Sequence, residues 1–443
     1  MRRFLVLSVC VAILTGVAFG EEKTREQKVR EDKDRVSRDG FWIYNDLPAA
    51  FEKARETGKP LLVALRCIPC EECVKLDDHL VDTDPVIRPL LEKFVCVRVV
   101  STNGLDLSLF QYDTDQSFAM FMLNADRTIY GRFGTRSHRT EWLGDVSLKG
   151  LGKALQGALD LHAKYPANRD SLAGKTGAPL EFGSPEKYPA LSDRFTDRLN
   201  YQGEVVKSCI HCHQIGDARR DYYRSKGQAI PEKLLYPFPH PRSQGLICDP
   251  QEMATLLDVT PDSVAARSGF QKGDRILSLN QQPLLSMADL QWVLNEADPD
   301  GAKLPAVVDR KGKTIEVVLS LPRGWRASDD IDWRASSWGL RRMVTGGLKL
   351  APADDATRQR LKLSGDQMAL KVEHVGQYGK HAVAKKAGFQ KDDIIVSFDG
   401  QDDLTTSSKL LAYGATATRP GQRIAVTVLR NGKRMEKQLP MQD

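Results

Sequence analysis

Past its first twenty residues the sequence contains no apolar run of the roughly 20 residues that a membrane-spanning helix needs. It has no marked excess of one charge either. Lys and Arg number 64 against 58 Asp and Glu, and the two signs are mixed along most of the chain. A formal charge of +6 over 443 residues gives no reason to read a nucleic-acid surface. No Gly-Asn-Ser-Gly or Gly-x-Ser-x-Gly elbow is present, and no segment of protease size is left over, which argues against a serine protease. Cysteine is scarce, with eight in all. A chain of this length does not need disulfide staples, so each cysteine needs a reason.

What is present begins with a leader. Arg2 and Arg3 open the chain, Phe4 to Val17 is almost wholly apolar, and Ala18-Phe19-Gly20 sets small residues where a signal peptidase reads. Residues 1–20 therefore read as a secretory signal peptide, too short for a spanning anchor. The mature protein is expected in the periplasm or outside the cell, with no transmembrane span. Residues 21–38 are dense in Glu, Lys, Arg and Asp and read as a charged linker or frayed helix. Cys10 lies in the leader. Of the other seven, Cys67, Cys70 and Cys73 sit together, Cys209 and Cys212 sit together, and Cys96 and Cys248 stand alone. Close pairs in an oxidising compartment point to redox or metal chemistry.

The segment 39–165 reads as one α/β domain. A helical period at Leu47, Ala50, Phe51 and Ala54 stops at Gly58-Lys59-Pro60. The apolar strand Leu61-Leu62-Val63-Ala64-Leu65 then runs into Cys67-Ile68-Pro69-Cys70-Glu71-Glu72-Cys73. Further strands are expected over Phe94 to Val100, Phe118 to Leu123 and Thr128 to Tyr130. A Cys-x-x-Cys at a strand-to-helix turn puts a sulfur against unpaired amides and the positive end of the helix dipole. A thiolate there attacks a disulfide, and the second cysteine resolves the mixed disulfide. This order resembles the thioredoxin superfamily, in the branch with Gly-Lys-Pro, a strand, Cys-x-x-Cys and a Leu-Asp pair. The resemblance implies Cys70 as the attacking thiol, with Cys73 or the extra Cys67 as partner. Thioredoxins place a cis-proline before the third strand, where this chain reads Asp115-Gln116-Ser117-Phe118-Ala119. A structural disulfide or a Cys-rich metal knot is the alternative reading of the three cysteines. Cys96, alternating with apolar residues, reads as a buried thiol, and His79 as a surface residue.

Residues 166–243 read as a Gly/Pro/Ser/Lys-rich linker followed by a helix, Phe195 to Lys207, that delivers Cys209-Ile210-His211-Cys212-His213. Two cysteines at this spacing form thioethers to haem vinyl groups, and the next histidine falls under the iron. Haem c is therefore an expected cofactor, with His213 as proximal ligand and His240 or Met253 as distal candidates. The alternatives are a second redox dithiol, half a zinc site with His211 or His213, or a plain disulfide.

The C-terminal half contains a repeat. Ser263-Val264-Ala265-Ala266-Arg267-Ser268-Gly269-Phe270-Gln271-Lys272-Gly273-Asp274 is matched by Ala382-Val383-Ala384-Lys385-Lys386-Ala387-Gly388-Phe389-Gln390-Lys391-Asp392-Asp393. Each copy continues into a helix (Met287 to Ala297; Thr405 to Gly414) and a hairpin turning at Lys311-Gly312 or Asn431-Gly432. The pattern resembles bacterial-type PDZ domains over 244–322 and 343–443. That resemblance implies peptide binding by strand addition, with the peptide carboxylate on the backbone amides of a Gly-Leu loop. Gly245-Leu246 and Gly347-Leu348 fit that loop, and Cys248 falls on or under the first binding strand. Between the repeats, residues 323–342 carry Trp325, Trp333, Trp338, Arg326 and Arg334 and read as a linker docked on a neighbouring domain.

The expected fold class is multidomain, α/β plus mainly β: a thioredoxin-like domain, a short helical Cys-x-x-Cys-His segment and two PDZ-like domains. The whole order resembles a thioredoxin-like/PDZ family of exported bacterial proteins, some with selenocysteine, which is absent here. The expected function is a thiol–disulfide redox protein whose PDZ domains bind peptide C-termini or extended segments of exported proteins, with the haem c read from the Cys-x-x-Cys-His spacing as an electron partner. The alternative is a non-enzymatic PDZ adaptor with structural disulfides or a metal site.

Overall fold

A computed structural model describes residues 23–66, 84–136 and 146–443. The leader, Cys67, Cys70, Cys73 and His79 lie outside the described residues. No helix among those described is long and apolar enough to cross a membrane.

The chain first forms helix α1 (Arg25–Asp39), in the stretch expected to be a linker or frayed helix. A capping box joins Thr24 and Gln27, and Gly40 closes the helix at φ 68°. Its buried residues are Val29, Asp32 and Val36, on one face. Asp32 meets the guanidinium of Arg66 at 2.7 Å, so a charged helix docks through a buried ion pair. Strand β1 (Ile43–Tyr44) follows, then α2 (Leu47–Thr57), which Asp46 caps and Gly58 ends. Strands β2 (Leu61–Arg66), β3 (Val95–Val99), β4 (Gln116–Leu123) and β5 (Ile129–Arg136) complete a sheet of order β1-β3-β2-β4-β5. β1, β3 and β2 are parallel, and β4 and β5 are antiparallel to their neighbours. β2 is buried along its whole length. Leu61, Val63 and Leu65 face one core, and Leu62 and Ala64 face another, as the period of two requires. Helix α3 (Ile87–Leu91) and helix α4 (Leu148–Ala163) cover the second face.

Residues 166–190, expected as a linker, pack tightly: Leu172, Lys175 and Tyr188 are buried. The helix expected over 195–207 does not form. Its backbone is instead satisfied from outside: the Glu26 carboxylate accepts from the amides of Val205 and Val206, and Arg30 donates to Tyr201 O and Gly203 O. Helix α5 (Cys212–Ser225) begins within the Cys-x-x-Cys-His motif rather than before it.

The first PDZ-type unit has β6 (Leu246–Cys248) paired with β7 (Leu256–Val259), and a sheet of β8 (Arg275–Leu279), β9 (Gln282–Pro283), β10 (Ala302–Arg310) and β11 (Lys313–Leu321). Helix α6 (Met287–Glu296) lies in it. Helix α7 (Ser337–Thr345) leads to the second unit, whose sheet runs β12 (Leu348–Pro352), β13 (Leu370–Val375), β14 (Ile394–Phe398), β15 (Arg423–Arg430) and β16 (Lys433–Pro440). Helix α8 (Ser407–Ala417) lies against it. Both expected hairpins form. Lys311-Gly312 and Asn431-Gly432 take positive φ at both positions, the type I′ geometry that matches strand twist. The repeat also fixes a matching ion pair: Asp274 binds Arg310 and Asp393 binds Arg430, each at 2.7 Å.

Candidate functional site

β2 and β3 end side by side, and the turn Cys209–Cys212 covers their C-terminal ends. Leu65, Arg66, Val99–Thr102 and Cys209–Cys212 enclose a cavity of about 10 Å³. Two polar side chains hold the turn there. Thr102 donates from its amide and hydroxyl to Ile210 O, and Asn103 accepts from the Ile210 amide at 2.8 Å. The Asn103 amide group also donates to Ser208 O at 3.0 Å. Cys209 is buried, and that burial pushes its thiol up to about 11 against a hydrogen bond from Ser101, with the charge of Cys212 adding to the rise. Cys212 is partly exposed and is the first residue of α5, where helix amides lack intrahelical partners. The Tyr112 hydroxyl donates to its sulfur at 3.1 Å. Arg66, which lines the small cavity, is followed directly by Cys67.

His213 is half-exposed, with Nδ1 at 3.8 Å from Asp217 Oδ2. The rings of His211 and His213 stack at 5.9 Å, nearly parallel. Burial, then the charge of His213, lowers the pKa of His211. A haem tied to both sulfurs needs a slot the size of a porphyrin beside them. The enclosed space has room for about one water, and the Cys212 sulfur is packed against Tyr112. The gap between the sheet ends and the thiol turn is therefore too small for a porphyrin. Met253, a distal candidate, packs with Leu285 on the opposite face of the sheet from Cys212. His240, the other, is buried at a turn where its Nδ1 accepts from the Arg242 amide at 3.0 Å. No group of three His, Cys, Asp or Glu suited to a metal occurs among the described residues, so the zinc alternative finds no third ligand there.

Farther along α5, Arg219 grips Glu181 through two hydrogen bonds of 2.8 and 2.9 Å, and Tyr188 and Tyr223 also donate to that carboxylate. Burial raises the Glu181 pKa, but Arg219 outweighs it and the group falls to about 2. A folded value below the unfolded one gives stability that is present above about pH 4.5 and lost as pH falls through the folded value. Unfolding midpoints measured from pH 5 to pH 2 should fall less steeply in Glu181→Gln than in the parent. Equal slopes would refute this pairing.

In the expected peptide loops the amides of Gly245, Gly347 and Leu348 are engaged within the chain. Gly245 takes φ 90° and donates to Arg242 O at 2.9 Å. Gly347 takes φ 94° and donates to Arg341 O at 3.0 Å, while the Leu348 amide meets the Thr345 hydroxyl at 3.1 Å. The reason is local. Each loop directly ends a helical turn, whose last carbonyls need donors, and the loop amides supply them. The groove walls are also covered. Every residue of α6 from Met287 to Asn295 is buried. Its Trp292 donates to Gly174 O at 2.9 Å, and its Gln291 to Phe238 O at 3.2 Å. In the second unit α7 packs on both β12 and α8, with Val344 seated on Gly414. Cys248 is half-buried on β6, as expected for that strand.

The sequence reading missed the charges that join the domains. Arg334, in the Trp/Arg segment, binds Asp113 at 2.7 Å and reaches Asp115 at 3.4 Å. Lys175 binds Asp289 at 3.0 Å. Each charge is visible in the sequence, but its partner lies more than a hundred residues away.

With that architecture, a thioredoxin-like domain profile matches residues 42–125, and PDZ domain profiles match residues 256–304 and 375–440. The chain contains a thioredoxin-like domain followed by two PDZ domains. Among characterised proteins it is similar to the periplasmic pH-dependent serine endoprotease DegQ of Escherichia coli, 32% identical over 166 residues, which is 37% of this chain and 32% of DegQ. A probable periplasmic serine endoprotease, DegP-like, of Pseudomonas fluorescens is 29% identical over 180 residues, 41% of this chain and 36% of that protein. The chain thus spans about a third of the length of these relatives. Among solved structures, the HtrA-type protease AlgW with a decapeptide aligns at 19% identity and a TM-score of 0.21, covering 32% of this chain and 41% of AlgW.

Proposed function

We propose that the chain is an exported thiol–disulfide redox protein in which Cys209 and Cys212 form a second thiol pair, working where β2 leads into Cys67, Cys70 and Cys73. The observation that carries this reading is the shared cavity: Cys209 and Cys212 close it together with Leu65 and Arg66. Cys212, at a helix start with a hydrogen bond to sulfur, is the attacking group. Cys209, buried and hard to ionise, resolves. The usual order of a Cys-x-x-Cys pair is therefore reversed. In exchange between the pairs, the Cys212 thiolate attacks a disulfide sulfur of the first motif, with Cys70 and Cys67 or Cys73 as its members. A mixed disulfide forms and one first-motif thiolate leaves. Cys209 then attacks Cys212 and releases the second thiol. Two electrons pass to the first motif, and no haem takes part. PDZ domains bind peptide segments as a class, and here they recruit extended ends of exported clients once the covered grooves open.

The full chain, equilibrated in graded dithiothreitol buffers, acid-quenched, alkylated and mapped by mass spectrometry, tests this. A Cys209–Cys212 disulfide should form and break reversibly, and Cys209→Ser should trap Cys212 bound to a first-motif cysteine. Cys209 and Cys212 reduced at every poise, or both held as haem thioethers, would sink the proposal. A second reading, a non-enzymatic adaptor, is favoured by the buried ion pairs that lock the domains together. It requires client binding to survive loss of Cys67, Cys70, Cys73, Cys209 and Cys212.

A further inference from the structure

Helix α5 presents Cys212, Ile215, Gly216 and Arg219 on one face, since residues three and four apart are neighbours on a helix. Ile215, Gly216 and Arg219 line a cavity of about 210 Å³ between the 107–115 loop, the 178–181 segment and residues 233–238. Leu107, Phe110, Tyr112, Leu180 and Phe238 supply most of its remaining apolar wall. Tyr112 links this space to the thiol. Its ring forms the wall and its hydroxyl reaches the Cys212 sulfur at 3.1 Å. The wall is stiff, because Phe110 and Tyr112 both stack edge-on against Phe121.

The charged groups lining this cavity, and two of its amides, are already engaged. Glu181 is bound by Arg219, Lys233 by Glu296, and the Gln111 side-chain amide donates to Ala178 O. Asn295 accepts from the Phe238 amide. A charged ligand group would lose its water and gain no open counter-charge. An apolar group of side-chain size would gain by burial.

We infer that this cavity is a specificity pocket, which receives a large apolar or aromatic side chain adjoining the client cysteine attacked by Cys212. The inference rests on the reading of Cys212 as the attacking sulfur. In the reaction, the Cys212 thiolate attacks the client disulfide, and a Cys212–client bond forms as the client's other sulfur leaves and takes a proton. Cys209 then attacks Cys212, freeing the client as a thiol. The pair is oxidised by two electrons and the client reduced, and a dithiol such as dithiothreitol restores the pair.

The test uses the full chain with Cys67, Cys70 and Cys73 changed to Ser, pre-reduced and freed of reductant. Single-turnover rates are measured with hydroxyethyl disulfide and with short peptide–glutathione mixed disulfides carrying Phe, Gly or Asp beside the cysteine. Burial of a Phe-sized side chain predicts a rate at low substrate about 10- to 100-fold higher for Phe than for Gly, with Asp no faster than Gly. Leu180→Trp, which fills the cavity from its loop wall, should bring the Phe-to-Gly ratio towards one, and Leu180→Ala should leave Phe preferred. Equal rates for all three peptides, with hydroxyethyl disulfide still reacting, would overturn the pocket and leave the thiol chemistry standing. No reaction with hydroxyethyl disulfide would overturn the reading of Cys212 itself, and the pocket with it. A Phe preference untouched by Leu180→Trp would place the selectivity elsewhere and also overturn the pocket.

Discussion

Arg334→Ala should lower the stability of the folded chain by about 3–5 kcal/mol, the usual cost of removing one partner from a buried ion pair. Arg334 is 1% exposed, as is Asp113, and Asp115 is nearly so. Burial opposes the guanidinium charge, but the carboxylates of Asp113, Asp115 and Asp329 overcome it and hold the group protonated above its ordinary range. Its other nitrogen donates to Pro237 O. Truncation removes all of these contacts at once. Asp115 keeps the Ser336 amide and hydroxyl at 2.8 and 2.7 Å, whereas Asp113 loses its ion pair. Arg334→Lys should fall between the two, because a single ammonium cannot reproduce the planar fork. The segment also anchors α5, whose Arg220 donates to Ser336 O at 3.1 Å. Loss of Arg334 should therefore raise the alkylation rate of Cys212 in native buffer. The midpoint of guanidinium unfolding reads the first effect, and timed alkylation with mass mapping reads the second. An unchanged midpoint in Arg334→Ala would show that the carboxylates are stabilised without it.

This ion pair also shows where sequence reading stops. The thioredoxin-like strands were legible because strands buried on both faces read as apolar runs, as Leu61 to Leu65 does. The PDZ units were legible because their chemistry is local: a Gly-Asp turn, a type I′ hairpin and a helix at fixed spacing. The missing proline before β4 was legible too, but not what stands there instead. Asp113 and Asp115 precede that strand and receive Arg334 from 221 and 219 residues away. The docked face of helix α1 was illegible for the same reason, the stretch reading only as a linker or frayed helix. Its inward face has Val29 and Val36 with Asp32 between them, and a carboxylate in an apolar stripe looks like solvent exposure until Arg66 is placed beside it. The thiol turn followed suit. Cys209 to His213 was found by spacing, yet its direction was not. The preceding segment takes its hydrogen bonds from Glu26 and Asn103, and neither is near it in sequence.

Asp289→Ala should be of similar size, about 3–5 kcal/mol, and should act on the joint between the thioredoxin-like domain and the first PDZ domain. One carboxylate serves three donors there. Lys175 Nζ and the Arg132 amide meet Oδ1 at 3.0 Å, and the Leu285 amide meets Oδ2 at 2.9 Å. Lys175 is fully buried, and burial pulls its pKa down against the pull of Asp289. Burial likewise lowers Arg132 to about 10, while its guanidinium lies 3.9 Å over the Trp292 ring. Without Asp289 a buried ammonium keeps no counter-charge, and two buried amides lose their acceptor. Lys175→Met combined with Asp289→Leu removes both charges, and a buried pair so replaced is often neutral. Here recovery should be incomplete, because the Arg132 and Leu285 amides still lack an acceptor, at about 1–3 kcal/mol each. The order expected from guanidinium midpoints is parent, then the double variant, then Asp289→Ala. Amide exchange supplies the local readout: α6, buried from Met287 to Asn295, should lose protection first in Asp289→Ala. If the double variant were no more stable than Asp289→Ala, the stranded charge of Lys175 would not be the source of the loss, and the two backbone amides would carry it instead.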